Sequence, residues 1–579
     1  MEKRQTAIKI LPAAIMALFT AAALSIYLDI SVYEPLTLLT VTALYVLFRK
    51  ARKGSSRRAR CAGRICGCLF AVLTVLGSYA TLETRALYPL SFPICLAGFA
   101  LLYSAVLTLA FSLGENFSLV DTSARDVSPK KLRRVFFTAL TALFAWSLIW
   151  LAFEYPGNTT NDSLDQLRQA MGAIPLKSNH PAAHTLFVKL FFVTGLKIFR
   201  GDQNAALAFY IAFQALFMAA VFAYLIETLY KKRIKTPVLY AIAAALIAIP
   251  YYASYSITLW KDVLFSGLIT VFCVTLWRLM GCKTERLPAW ELMILYLSGL
   301  LAGVFRNMSY LAFFVMFPFV FALFRKKSLA AALMPLIVGG LAALICGPVY
   351  AMAGIAHNDA LESRAIPLQH VACAITDGAQ LSDAQREFLE KIMPVAEIPD
   401  NYYPNNADYI KELIREKGDA EFFGAHTAEF MELWRDVGRR YPASCLKAQI
   451  EQTKGYWFPD VSYWSMANFC ASAGDLNIRK APLLPESLVR VFEQILFYLN
   501  YMPVFGLVFS IGLGTWITVC LFALCIVKKQ KKELVLFLPV LLLLATLCAV
   551  TPVFAEFRYA YSMFTTLPLL FVLPFASST

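Results

Sequence analysis

Apolar runs of roughly 17–25 residues recur along most of this chain, each long enough to cross a hydrocarbon core of about 30 Å. In such a medium every backbone N–H and C=O must be satisfied within the spanning structure, which leaves helices or a closed barrel. The runs are continuous rather than alternating, so a barrel is excluded. Only 16% of the 579 residues are charged and mean hydropathy is +0.61, where a soluble chain carries about 25% charged residues. The pattern predicts an all-α polytopic membrane protein. About fourteen spans are expected, near 7–28, 34–48, 65–83, 87–112, 134–153, 205–230, 237–256, 263–280, 288–304, 310–325, 328–352, 500–527, 533–553 and 560–576. The first run is too long for a signal-peptide core and lacks a small-x-small cleavage site, so it is read as a span.

Lys and Arg cluster in the short loops 49–60, 128–134, 231–235, 325–327 and 528–532. By the positive-inside rule these loops are cytoplasmic, and they account for the net charge of +15 without a nucleic-acid partner. The run 183–199 would reverse every later loop if it crossed. Lys189 and Lys197 within it suit an interfacial helix with snorkelling lysines, so it is placed on the outer surface. Both termini then face the cytoplasm of a cell-membrane protein. The expected organisation is a four-helix extension (1–112), a membrane core (113–352) with an outer loop at 154–204, a small, mainly helical extracytoplasmic domain (353–495) and three C-terminal spans (496–579). His180, His184, His357, His370 and His426 all fall outside the membrane on that threading. Of the thirteen cysteines, most lie in spans as small hydrophobes, and none has zinc-ligand spacing.

The outer loop contains "NDSLDQLRQAMG" (161–172), unusually polar for this chain. Ser163 and Gln166 have capping-box spacing, which predicts a helix starting at Ser163 and stopping at Gly172. Asp162 would precede it, at the end that favours a carboxylate. Leu164, Leu167 and Met171 would form a face lying on the membrane. The plain reading is that Asp162 caps and Asp165 pairs with Arg168. Other outer span ends weigh against leaving it there: "WKD" carries Lys261 and Asp262, "FRN" carries Arg306, and "EFRYAY" carries Glu556 and Arg558. Ionisable groups near an apolar core are costly and mark sites. Arg and Lys in a membrane-facing cleft suit a phosphate, and carboxylates beside them suit activation of a hydroxyl.

"NDSLDQL", "NHPAAHTLFVKLF" and "FRYAYSMFTTLP" together resemble motifs of the integral-membrane glycosyltransferases of the GT-C type, such as the protein O-mannosyltransferases and aminoarabinose transferases. Ala182 replaces the second proline of the His-Pro-Pro element, and the spacing from Arg558 to Pro568 is longer than usual. The resemblance covers roughly 134–352 and 500–576 and leaves 1–112 without a counterpart. It implies a sugar moved from a polyprenyl-phosphate donor, with inversion, to an extracytoplasmic acceptor: a cell-wall polymer, a glycolipid or a protein. Asp162 and Asp262 would be catalytic. Asp165, Gln166, His180, Lys261, Arg306 and Arg558 would bind substrate. No cofactor is certain. Asp162, Asp165, Asp262 and His180 could form an oxygen-rich Mg or Mn site, and that question stays open. Two other functions compete: a transporter or flippase of lipid-linked saccharides, and a non-catalytic assembly protein. Against transport, the charges sit at outer span ends and no inverted repeat is visible. The aromatic stretch "GYWFPDVSYW" (455–464) could stack on sugars or serve as core and interface anchors, and anchoring is the expectation.

Overall fold

The computed structural model describes residues 2–576, apart from 32, 54, 86, 124–125, 179, 283–286, 356–359, 462–464, 467–468, 473 and 500–501. His357, Tyr463 and Trp464 lie outside the described residues. Among the described residues the chain is helical throughout, with isolated bridges but no β-ladder.

The N-terminal helices are α1 (Glu2–Leu28), α2 (Pro35–Arg52), α3 (Arg57–Gly77) and α4 (Ser91–Glu115). Gly63 and Gly67, four apart on α3, let α4 approach closely: a Cβ at Gly63 would sit 2.7 Å from the Thr108 nitrogen. Then follow α5 (Pro129–Phe153), α6 (Asn161–Met171), α7 (Ala182–Ile198), α8 (Gln203–Lys231), α9 (Thr236–Ala248), α10 (Pro250–Ser256), α11 (Lys261–Met280), α12 (Ala289–Phe305), α13 (Leu311–Phe324) and α14 (Leu329–Leu344). After the polar segment come α15 (Ile511–Val527), α16 (Leu538–Val550) and α17 (Phe557–Val572).

Among the described residues eight helices are long and apolar enough to cross a membrane, or nine if α9 and α10, bent by 60° at Pro250, form one broken span. The other five runs expected to cross fall on α2, α12, α13, α15 and α17, helices of 14 to 18 residues. At 1.5 Å per residue these reach about 21–27 Å, less than a full hydrocarbon thickness. Among them α12, α13 and α15 are apolar but short, whereas α2, which ends in Arg49, Lys50 and Arg52, and α17 do not qualify as apolar helices.

Helix α11 is the axis of the core. It is buried over 89% of its spanning window and packs on α8, α12 and α17. Near its C-terminus Arg278 donates to Glu291 Oε1 (2.9 Å), Glu227 Oε2 (2.5 Å) and Thr228 Oγ1 (3.1 Å). Its guanidinium lies over the rings of Tyr224 and Trp290.

The polar segment has its own apolar core, from Leu361 to Cys445, with Leu368, Ile392, Ile414, Phe423 and Phe430 fully buried. It grips the strap 551–556 that leads into α17. Ala407 N donates to Pro552 O (3.0 Å), Phe554 N to Asn405 O (3.1 Å) and Tyr456 Oη to Val553 O (2.9 Å). The described part of the aromatic stretch does anchor: Tyr456 is fully buried, the Trp457 carbonyl accepts from Trp516 Nε1 (2.8 Å), and Phe458 packs against Gly77 of α3.

Candidate functional site

Four chain segments meet at the N-terminal end of α11. Loop 155–160 zips onto loop 257–260 through Asn158 N to Ile257 O (2.8 Å) and Leu259 N to Asn158 O (2.9 Å). Gln214 fixes the second loop from below, its amide donating to the carbonyls of Ser256 (3.0 Å) and Thr258 (2.8 Å). Helix α6 starts earlier than its sequence suggests. Thr160 is the cap residue, and its N–H donates to Ser163 Oγ (3.0 Å), so Ser163 closes the box from the third helical position. Ser163 Oγ in turn donates to Leu259 O (2.6 Å), a tertiary contact that spacing alone could not reveal. Asp162 therefore belongs to the first turn instead of preceding it. Gly172 ends the helix with φ +78°, as expected.

The cleft is lined by Asp162, His180, Trp260, Lys261, Asp262 and Arg558, with Ser163, Gln166 and Leu259 around them, and is tight, with a cavity volume of about 10 Å³, room for about one water. Arg558, in the first turn of α17, donates to Asp162 Oδ2 (2.6 Å) and lies 3.3 Å from Glu556 Oε1. Arg306, capping α12, donates to Asp262 Oδ1 (2.6 Å) and to Tyr559 O (3.2 Å). Tyr559 stands between the two guanidiniums, 5.5 Å from that of Arg306 and 5.2 Å from that of Arg558. Asp262 is 1% exposed, and its Oδ2 has no hydrogen-bond partner among the described residues. Asp162 is different: 48% of its side chain is open to solvent.

Lys261, Arg306 and Arg558 face Asp162, Asp262 and Glu556, so the cluster is balanced when Glu556 is ionised and carries one excess positive charge while Glu556 holds its proton. Burial pushes the Asp162 carboxyl up, but Arg558, Lys261 and His180 outweigh it and hold the group at about 2. Burial, aided by Lys261, lowers His180 to about 4, so its imidazole is neutral at pH 7. Burial raises Glu556 to about 7, since the pull of Arg558 is opposed by Asp262 and Asp162.

Asp165 is not brought into this cleft. It pairs with Arg168 (2.8 Å), half exposed, and Arg168 also holds Asp475 (2.5 Å), tying α6 to the 470–480 segment. Gln166 reaches the cleft wall, but its amide is committed to His184 Nδ1 (2.8 Å) and Thr185 Oγ1 (3.1 Å). Leu164 and Leu167 do not lie on a membrane. They are buried against Val188 and Phe192 of α7, and only Met171 stays exposed. Among the described residues no three His, Cys, Asp or Glu side chains converge as a metal site. Glu556 is the residue whose part was missed: its sequence position marked it, but the shared Arg558 depends on the fold.

A family model described as a family of unknown function (DUF6020) matches residues 169–579. That match includes His180, Lys261, Asp262, Arg306 and Arg558 and begins seven residues after Asp162. No curated protein and no solved structure matches the chain.

Proposed function

The chain belongs to the DUF6020 family, and from that premise, which names no activity, we propose that it is a membrane glycosyltransferase moving a sugar from a polyprenyl phosphate to an extracytoplasmic acceptor. The observation that carries this reading is the meeting of Asp162, Asp262, Lys261 and Arg558, from segments almost 400 positions apart, in one cleft, with Arg306 beside it on Asp262. In this reading all fourteen apolar runs cross the cell membrane, both termini are cytoplasmic, and the cleft and the 353–495 domain face outward.

The donor phosphate enters beside Arg558, Arg306 and Lys261, where charge building on the leaving oxygen is stabilised by fixed cations. Arg558 also holds Asp162, so a phosphate that takes over this guanidinium releases the carboxylate. Without its cation, Asp162 rises from about 2 toward the ordinary carboxylate range and becomes a competent base for the acceptor hydroxyl. The hydroxyl oxygen bonds to the anomeric carbon from the face opposite the phosphate, the C–O bond to phosphate breaks, and the proton passes to Asp162. Asp262 holds Arg306, and neutral His180 offers a hydrogen bond to sugar or phosphate. The experiment is transfer of labelled sugar from a panel of polyprenyl-phosphate sugars by purified protein, beside Asp162→Asn. Transfer that collapses in the variant supports the reading. No turnover with any donor by folded protein overturns it.

A further inference from the structure

An apolar cavity lies elsewhere, toward the far end of α11. A slot of about 410 Å³ is walled by Phe136 of α5, Phe217, Val221 and Tyr224 of α8, Val271 of α11 and Ile294 of α12. This volume is in the usual range of ligand pockets, about 300–1,000 Å³. Its lining positions on α8, from Phe217 to Glu227, form one face about 15 Å long at 1.5 Å per residue. A single hydrocarbon chain has the shape for such a slot.

The end of the slot is polar. Arg133, exposed at the start of α5, and Trp290 line it together with Arg278 and Glu227. Glu227 and Glu291 both turn to Arg278. Lys130, Lys131 and Arg134 share the start of α5 with Arg133, and Lys231 and Lys232 follow at the end of α8. These two ends are neighbours, because Tyr230 Oη donates to Asp126 O (3.1 Å) just before α5. A greasy slot between membrane helices beneath a basic rim matches an anionic lipid in both parts.

We infer that the slot seats one acyl chain of an anionic glycerophospholipid, with its phosphate at Arg133. The site is separate from the cleft of the transfer reading and does not depend on it. The basic rim favours an anionic headgroup over a zwitterionic one, and the narrow slot favours one chain over general annular contact.

Trp290 supplies the reporter. The full chain is reconstituted in vesicles containing phosphatidylglycerol or phosphatidylcholine with brominated acyl chains, which quench tryptophan on contact, and the Trp290 signal is isolated by difference from Trp290→Phe. Half-quenching is expected at about fivefold lower mole fraction of the anionic lipid. Arg133→Glu, a change at an exposed side chain, should erase the preference. Val221→Phe, checked for unchanged thermal unfolding, should fill the slot and remove the tight component. Equal quenching by the two lipids overturns the assignment. So does a preference that survives Arg133→Glu in folded protein, or displacement of the brominated phospholipid by a polyprenyl phosphate.

Discussion

At one end of α11, Arg278 gives a single guanidinium to two carboxylates, and the side chains of Arg278, Glu227 and Glu291 are 5%, 10% and 2% exposed. At the other end, about 24 Å away along the helix, Lys261, Arg306 and Arg558 face Asp162 and Asp262, and half of the Asp162 side chain meets solvent. Among the described residues the inner end leaves one buried carboxylate oxygen without a donor, Glu291 Oε2, and the outer end leaves two, Asp262 Oδ2 and Glu556 Oε1. What differs is the charge balance and the access to it. The inner cluster has surplus carboxylate and borders the apolar slot only through Glu227 and Arg278, so an anion at that slot has to be held by Arg133 outside the cluster. The outer cluster opens to solvent at Asp162, and an anion that takes Arg558 there changes the basicity of that carboxylate.

The sharpest way to break that contrast is Asp162→Asn. Loss of a general base costs up to the upper part of a 10²–10⁴ range, so kcat for sugar transfer should fall roughly a thousandfold while the protein stays folded. A fall in thermal stability without a fall in turnover would make the outer cluster as structural as the inner one. Arg278→Met should do the reverse. It strands two buried carboxylates and should cost about 3 kcal/mol or more, read as thermal unfolding in detergent, with transfer per folded molecule unchanged.

Glu556→Gln probes the link between the two behaviours. Its carboxyl sits at about 7 in the fold, raised above the unfolded value, so the folded state binds the proton more tightly. Wild-type stability should therefore fall as pH rises between the unfolded value of about 4.5 and about 7, and stay lower above that. The glutamine variant should match wild type near pH 4 and exceed it by about 1–3 kcal/mol at pH 8. Smallest of all, Asp165→Ala removes a half-exposed partner of Arg168, which keeps Asp475. Stability should change by less than about 1 kcal/mol, and transfer not at all.

The cleft was partly legible because charge at the end of an apolar run is expensive and therefore conspicuous. Lys261, Asp262, Arg306 and Arg558 were found that way, and Asp162 through the unusually polar stretch 161–172 in the outer loop. Asp165 and Gln166 were carried along by proximity in sequence, yet on α6 they point to Arg168 and to α7, and only the helix phase set by Thr160 decides this. Glu227, Arg278 and Glu291 are the converse case. They are charges in or beside apolar runs and so carried the same signal, but their mutual pairing needs three helices in place. The start of α6 was misplaced because the Ser163 hydroxyl answers to Leu259, almost a hundred positions away.

The strap 551–556 carries Arg558 into the cleft, and residues 405–407, Gln452 and Tyr456 hold that strap. Genetically, this makes the polar segment part of the cleft without contributing a side chain to it. Loss-of-function alleles at Asn405, Ala407 or Tyr456 should cluster with alleles of Arg558, and a compensating change in one group should rescue the other. Homologues that exchange this segment would have to exchange the strap with it.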